Sequence, residues 1–223
     1  MNFPATARTQ ARESVFLASM FTAATSVAFL LATFAIIIAP GPAQALVLAR
    51  TLSEGRRSGA TTAIGLNVGT LVHALAAALG LSAILATSAA AFSLVKYAGA
   101  AYLIYLGVRA LRSGEQVEVV TNAGASFWRA VATGVLNPKV AVFFLAFLPQ
   151  FVDPSRGPAF VQFVILGATV AVLDVIYELL LVWIATALRG RVLSSRRFAA
   201  WRERVTGVVL IALGARLAMA QRQ

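Results

Sequence analysis

Two carboxyl groups lie inside one long apolar run of this sequence. The chain has only eight acidic residues in 223, and Asp174 and Glu178 both stand in "VILGATVAVLDVIYELLLVWIATAL". Four positions apart, their side chains share one helix face, where like charges repel. Ionisable groups in an apolar medium are costly and mark sites for protons, ions or charged ligand groups. We therefore expect Asp174 and Glu178 to exchange protons, and Asp174 also to bind a cationic ligand group.

The only histidine and a nearby asparagine are candidate partners of this pair. In "GLNVGTLVHALAAALG", the residues Gly65, Gly69 and His73 fall on one helix stripe, and small residues let another helix approach closely. We expect the stripe to face Asp174, which makes His73 and Asp174 a candidate proton relay. Asn67 lies about 120° from His73 around the helix and is a weaker candidate for lining a site. Alternatively, His73 is a buried packing residue.

Prolines interrupt two further apolar runs. "FAIIIAPGPAQALVLA" contains a Pro-Gly-Pro sequence, and "GVLNPKVAVFFLAFLPQF" contains Asn-Pro-Lys. Proline removes a backbone donor and costs a helix roughly 3 kcal/mol or more. A broken helix exposes N–H groups and a partial positive charge at the start of its second half, where carboxylates bind. The predicted carboxylate site comprises Gly41, Pro42, Asn137, Pro138 and Lys139. Alternatively, the prolines only kink the helices and Lys139 reaches a membrane interface.

The composition indicates the setting of these residues. The chain is 60% hydrophobic and 12% charged, whereas a soluble domain is near half apolar and about a quarter charged. Several runs approach the roughly 20 apolar residues that cross a bilayer. We expect an all-α integral membrane protein with six transmembrane helices. The predicted spans are 24–48, 60–86, 91–111, 128–149, 159–187 and 205–221. The predicted connections include "SEGRRSG" (53–59) and the basic loop "RGRVLSSRRFAAWRER" (189–204).

The charges are distributed as in a multi-pass membrane protein. Twelve of the 19 Lys and Arg residues fall in the loops between spans 1–2, 3–4 and 5–6, which the positive-inside rule assigns to the cytoplasm. Both termini are therefore expected outside. Clustered arginines between apolar runs argue against nucleic acid as a partner, and membrane lipid surrounds the chain instead. Without cysteine and with one histidine, we expect no cofactor and no metal site.

The two halves of the chain resemble each other. "GPAQALVLA" (41–49) aligns with "NPKVAVFFLA" (137–146), and "LIYLGVRAL" (103–111) aligns with "LIALGARLA" (210–218). Three spans per half require the second copy to be inverted, an architecture common in transporters. The predicted repeats cover about 23–112 and 127–223, within a six-span domain at 23–223. Residues 1–22 form a polar extension, with Met20 as an alternative start. A signal peptide ending near residue 45 would destroy the repeat.

Four segments carry a family resemblance. These are "FLLATFAIIIAPGPAQALVLARTLSEGRRSG", "GLNVGTLVHALAAALGLSAIL", "VKYAGAAYLIYLGVRALRSG" and "GVLNPKVAVFFLAFLPQFVDP". Together they resemble the lysine exporter (LysE/RhtB) family of amino-acid translocators. The resemblance implies a six-span protein of the bacterial inner membrane that exports amino acids or derivatives. The family's cargo ranges from basic amino acids to threonine, homoserine, leucine and cysteine, so no single cargo follows.

The leading hypothesis is thus a proton-driven exporter of a small zwitterionic or cationic solute, which the resemblance implies to be an amino acid or close derivative. The cargo carboxylate would meet the helix ends at Pro42 and Pro138, and its ammonium group would meet Asp174. Export of drugs or inorganic ions on the same architecture is the alternative. An intramembrane hydrolase is disfavoured, because Ser82 and His73 fall on opposite faces of their helix. The oligomeric state stays open, a homo-oligomer being one option.

Overall fold

The computed structural model describes residues 20–39, 41–112, 127–188 and 196–219. Residues 1–19 of the predicted extension, Pro40 of the first break, and the segments 113–126 and 189–195 lie outside the described residues. Every regular element within the described ranges is helical, which confirms the all-α prediction. The α-helices are α1 (Ala23–Ile38), α2 (Pro42–Glu54), α3 (Arg56–Thr87), α4 (Ala89–Arg112), α5 (Phe127–Val135), α6 (Pro138–Val142), α7 (Ala159–Ala187) and α8 (Arg196–Met219).

Three helices are long and apolar enough to cross a membrane: α3, α4 and α7. Two bent pairs add up to two more spans. The axes of α1 and α2 meet at 53°, and α5 meets the segment Pro138–Phe151 at 43°. Residues 205–219 of the sixth predicted span fall on α8, which begins earlier, at Arg196. Residues 220 and 221 of that span lie outside the described residues. Helix α8 has 24 residues, as many as α4, but it is not among the helices apolar enough to count as a candidate span.

Both bends occur at the prolines where the sequence predicted helix breaks. Helix α2 begins at Pro42 after Gly41, and α6 begins at Pro138 after Asn137. Proline suits the first position of a helix, because the N–H that it lacks would have no intrahelical partner there. After α6 the helix first widens into a π-helical turn (Phe143–Phe147) and then tightens into a 3₁₀ turn (Leu148–Phe151).

Two predicted loops are largely helical. The loop expected at 53–59 shrinks to Gly55, which separates α2 from α3. Gly55 has φ +91°, a left-handed conformation that only glycine adopts at little cost, so one residue turns the chain. Likewise, residues 196–204 of the expected basic loop 189–204 belong to α8.

Helices α4 and α8 pack antiparallel through glycines. A Cβ added to Gly107 would lie 2.7 Å from the carbonyl oxygen of Gly207 and 2.9 Å from the backbone nitrogen of Ile211. A Cβ added to Gly214 would lie 2.8 Å from the carbonyl oxygen of Ala100. The two backbones are therefore in direct contact at both ends of this interface.

The predicted Gly65–Gly69 stripe faces α5 and not α7, so this part of the expectation is wrong. A Cβ on Gly65 would lie 2.8 Å from Ala130 Cβ, and one on Gly69 would lie 2.7 Å from Gly134 Cα. The reason is steric, because a glycine on each helix lets α3 and α5 approach backbone to backbone. The α3–α7 contact instead uses Gly167 against Ala74.

Phenylalanine side chains fill the middle of the bundle. The rings of Phe143 and Phe147 stack at 5.5 Å, and Phe151 meets Phe29 of α1 edge-on at 5.4 Å. All four are buried. The segment after the second break is therefore held between the other helices, and this packing positions the residues that begin it.

Candidate functional site

A cavity lies between the two broken spans and α7. Its polar lining consists of Gln44, Thr70, Asn137, Lys139, Asp174 and Glu178. Its apolar lining consists of Ile36, Ile37, Ala43, Val140, Phe143, Phe144 and Val170. The cavity volume is about 30 Å³, and one water molecule needs roughly 10–15 Å³ on this measure. The cavity therefore has room for water molecules, and an amino acid requires it to widen.

The first helix break presents an open helix end to this cavity. Gly41 is the N-cap of α2 and provides no side-chain hydrogen bond to it. The first N–H groups of a helix have no intrahelical partner and carry a partial positive charge. Ala43 and Gln44, in the first turn of α2, line the cavity. An anionic group in the cavity would therefore meet backbone donors here.

The second break differs from the first. Asn137 is the N-cap of α6, and its Oδ1 accepts a hydrogen bond of 3.1 Å from the backbone N–H of Lys139. This cap satisfies one of the backbone donors at the start of α6. The sequence predicted two equivalent open helix ends, but in the described part of the chain only the second one carries a side-chain cap. Asparagine has a capping side chain and glycine has none, which accounts for the difference.

Lys139 ties the second broken span to the first. Its Nζ donates to the carbonyl oxygens of Ile36 (3.0 Å) and Ala39 (2.8 Å). Gln44 Nε2 donates to the carbonyl of Ile37 in the same stretch. Carbonyls at the end of a helix lack intrahelical partners and carry a partial negative charge. Lys139 and Gln44 therefore satisfy the C-terminal end of α1 at the break.

The two predicted carboxyl groups both reach the cavity. Asp174 and Glu178 line it one turn apart on α7, together with Lys139. Glu178 is only 2% exposed, and its Oε2 accepts a 3.0 Å hydrogen bond from Asn67 Nδ2. Asn67 also donates to the carbonyl of Ala63. Asn67 therefore contacts Glu178 but is not part of the cavity lining, contrary to the prediction.

His73 does not pair with Asp174. Its ring stacks against Phe144 with the centroids 6.3 Å apart, and its buried Nε2 has no hydrogen-bond partner among the described residues. Neither an ion pair nor a hydrogen bond joins it to Asp174 in the described part of the chain. The close contact of α3 with α5 fixes the rotation of α3 about its axis. As a result, the ring of Phe144 lies between His73 and the cavity.

The structure adds polar residues that the sequence analysis missed. Gln44 and Thr70 line the cavity, and both are buried. Both residues have a weak signal in the sequence. Gln44 is a lone amide in an apolar run, two residues after Pro42. Thr70 follows Asn67 by three positions, on the same helix face. Of the other predicted residues, Gly41, Pro42 and Pro138 adjoin the lining without belonging to it.

A bundle of apolar helices with two broken spans around a cavity lined by ionisable side chains is typical of a membrane transporter. The chain belongs to the LysE family: the model of the "LysE type translocator" family matches residues 34–221. This confirms the resemblance and the prediction of a transporter, which is not an enzyme. Among the described residues, no group of three or more His, Cys, Asp or Glu side chains could hold a metal ion.

Several curated proteins are similar over most of the chain. An uncharacterized membrane protein of Vibrio cholerae is 33% identical over 199 residues, which are 87% of this chain and 96% of that protein. A homoserine/homoserine lactone efflux protein of Salmonella typhi is 32% identical over 179 residues, 78% of this chain and 82% of that protein. A leucine efflux protein of Salmonella typhimurium is 28% identical over 199 residues, with 86% and 94% covered. No solved structure matches the chain.

Proposed function

We propose that the protein exports a small amino acid or close derivative across the bacterial inner membrane, driven by protons. One observation carries this proposal: a single cavity joins an open helix N-terminus to two carboxyl groups and a lysine. An amino acid is a zwitterion, and its two charged groups require acceptors and donors of this kind within a few ångströms of each other. The names of the relatives as efflux proteins support the direction of transport.

In this proposal, the cargo carboxylate meets the first turn of α2. The backbone donors after Gly41 and Pro42 face the cavity, the Asn137 amide lines it, and Lys139 adds a full positive charge. Charge-assisted hydrogen bonds to a carboxylate are about twice as strong as neutral ones. The role of Pro138 is to begin α6 and so to direct Asn137 and Lys139 toward this end.

The cargo ammonium group is proposed to meet Asp174. Asp174 and Glu178 are also the proposed proton carriers, because both line the cavity and Glu178 is held by Asn67. Release of cargo and uptake of a proton at the same carboxyl pair would couple the two fluxes. His73 would join this exchange only after the ring of Phe144 moves aside.

The rest of the lining favours a cargo with an uncharged side chain. Seven of the 13 lining residues are apolar, and a charged side chain among them would lose its hydration without gaining a partner. The naming of two relatives for homoserine and leucine agrees with this preference. A neutral amino acid is therefore the proposed cargo class, and drug or inorganic-ion export is not proposed.

Six spans in two inverted repeats remain the proposed topology, with both termini outside. The α4–α8 contact supports it. Gly107 and Gly214 are 107 positions apart, and so are Ala100 and Gly207. Gly107 meets Gly207 while Gly214 meets Ala100, so each contact has its counterpart in the other repeat. Reciprocal contacts of this kind arise from a two-fold relation between the halves.

The test is efflux from cells preloaded with a panel of labelled amino acids. Wild type is compared with Asp174→Asn, with and without a proton-gradient uncoupler, and Asp153→Asn serves as a matched control on an exposed loop. We expect Asp174→Asn and the uncoupler each to lower efflux by at least about tenfold, the equivalent of 1.4 kcal/mol. The Asp153 variant should keep wild-type efflux.

Two results would count against the proposal. If Asp174→Asn shows full efflux that the uncoupler still abolishes, Asp174 neither binds the cargo ammonium group nor carries the proton. Absence of efflux for every amino acid on the panel, despite good membrane expression, shows that the cargo class is wrong.

A further inference from the structure

We propose that Lys139 is a built-in cation that takes the place of the cargo ammonium group whenever the carrier is empty. The inference rests on the export function proposed above. It concerns the other half of the transport cycle, in which the carrier returns across the membrane without cargo.

Lys139 Nζ occupies a position suited to a cargo ammonium group. It donates to the carbonyl oxygens of Ile36 and Ala39, at 3.0 and 2.8 Å. These carbonyls form the negative end of the α1 dipole. The same side chain lines the cavity together with Asp174 and Glu178. An incoming ammonium group would need the acceptors that Lys139 now holds.

The empty carrier needs a positive charge in this cavity. Two carboxyl groups in a low-dielectric interior are poorly stable without a partner. While cargo is bound, its ammonium group is that partner. On release, the proposed proton uptake neutralises one carboxyl group and leaves the other without a partner. Within the lining, as far as the chain is described, Lys139 is the only positively charged side chain. Its charge therefore lets the emptied cavity close and return.

Lys139 can also reach the opposite end of the site. A Cβ added to Gly41 would lie 3.5 Å from Lys139 Nζ, so the ammonium group borders the open end of α2, where the cargo carboxylate is proposed to bind. Lysine carries three donors on a flexible stem. Entry of cargo would turn Lys139 from the α1 carbonyls to the cargo carboxylate, and the cargo ammonium group would meet both Asp174 and the acceptors that Lys139 leaves.

The experiment separates two modes of transport by the full-length protein in liposomes. Exchange is measured with saturating leucine, and separately homoserine, on both sides, so that the carrier always crosses loaded. Net efflux is measured into medium without amino acid, so that the carrier must return empty. Lys139→Gln keeps an amide donor for the α1 carbonyls but removes the charge. Lys139→Arg keeps the charge, and Lys96→Gln removes a lysine that lies over Tyr97 outside the cavity.

For Lys139→Gln we expect net efflux to fall at least tenfold more than exchange does, because saturating cargo offsets the weaker binding of its carboxylate and only the empty return leaves a carboxylate without a cation. Lys139→Arg and Lys96→Gln should support both modes. Equal losses of the two modes in Lys139→Gln, or no loss in either, would overturn the inference. A wild-type protein that exchanges neither amino acid would instead refute the proposed function.

A second variant keeps the inference testable if Lys139→Gln does not accumulate in the membrane. The double variant, Lys139→Gln with Glu178→Gln, removes one carboxylate together with the lysine charge. We expect the double variant to carry net efflux within about threefold of its own exchange, since one charge of each sign is absent. Because Glu178 is itself a proposed proton carrier, Glu178→Gln alone is measured as the control. A double variant that exchanges cargo but shows no net efflux, while Glu178→Gln alone keeps net efflux, would overturn the inference.

Discussion

The hydrogen bond between Asn67 and Glu178 gives a prediction whose size follows from the structure. Asn67 Nδ2 donates to Glu178 Oε2 at 3.0 Å and to the carbonyl of Ala63 at 3.1 Å. Both Asn67 and Glu178 are buried. Asn67→Ala therefore leaves a buried carboxyl group without its only hydrogen-bond donor among the described residues, and no water in the bilayer core can replace that donor.

At a pH at which Glu178 is ionised, Asn67→Ala loses a hydrogen bond to a charged group, about 1.5–3 kcal/mol, and a neutral one to Ala63, about 0.5–1.5 kcal/mol. The expected cost of losing both is about 2–4.5 kcal/mol. For a chain of this size, 1 kcal/mol lowers the melting temperature by roughly 2–4 °C, so Asn67→Ala should lower it by about 4–18 °C. In a Glu178→Gln background both lost bonds are neutral, so the same substitution should cost only about 1–3 kcal/mol.

The assay is thermal unfolding in detergent of wild type, the two single variants and the double variant. This cycle isolates the pairwise term, because the bond from Asn67 to Ala63 is lost in both backgrounds and cancels. We expect a coupling energy of about 1 kcal/mol or more. If the effects of the two substitutions add within about 0.3–0.5 kcal/mol, Asn67 does not stabilise Glu178 and the reasoning fails.

Two further predictions concern packing and cargo size. Gly69→Ala should destabilise the protein by about 1–3 kcal/mol, because its Cβ would meet the backbone of α5. Gly80→Ala, with open space around it, should leave stability unchanged or raise it slightly, and equal melting temperatures for the two variants would contradict this. Phe144→Ala removes a cavity wall and should cost about 3–5 kcal/mol while letting tryptophan compete with leucine in exchange. Unchanged competition by tryptophan would show that Phe144 does not limit cargo size.

Hydropathy and proline chemistry predicted much of the fold. The apolar runs become helices, and both bends occur where Pro42 and Pro138 interrupt them. The loops at 53–59 and 189–204 were predicted too long, because helix ends depend on local caps. Gly55 turns the chain in one residue, and a charged turn such as that beginning at Arg196 can extend a helix beyond its apolar part.

The site could be predicted only where a residue type was itself unusual. A carboxyl group or a lysine in an apolar run is conspicuous, and Asp174, Glu178 and Lys139 do line one cavity. The rotation of a helix about its axis is less visible in the sequence. His73 and Asn67 were expected to line the site, but the α3–α5 glycine contact turns His73 toward Phe144 and sets Asn67 behind Glu178.

The narrowness of the cavity has a kinetic consequence. With about 30 Å³ open to water, the site never offers a continuous path for an amino acid in this conformation. Every molecule of cargo must wait for the helices around Phe143 and Phe144 to move apart and close again. Collective helix motions take microseconds to milliseconds, which limits turnover to about 10³–10⁶ cycles per second at most. Flux should therefore saturate with cargo concentration and depend steeply on temperature, unlike the flux through an open pore.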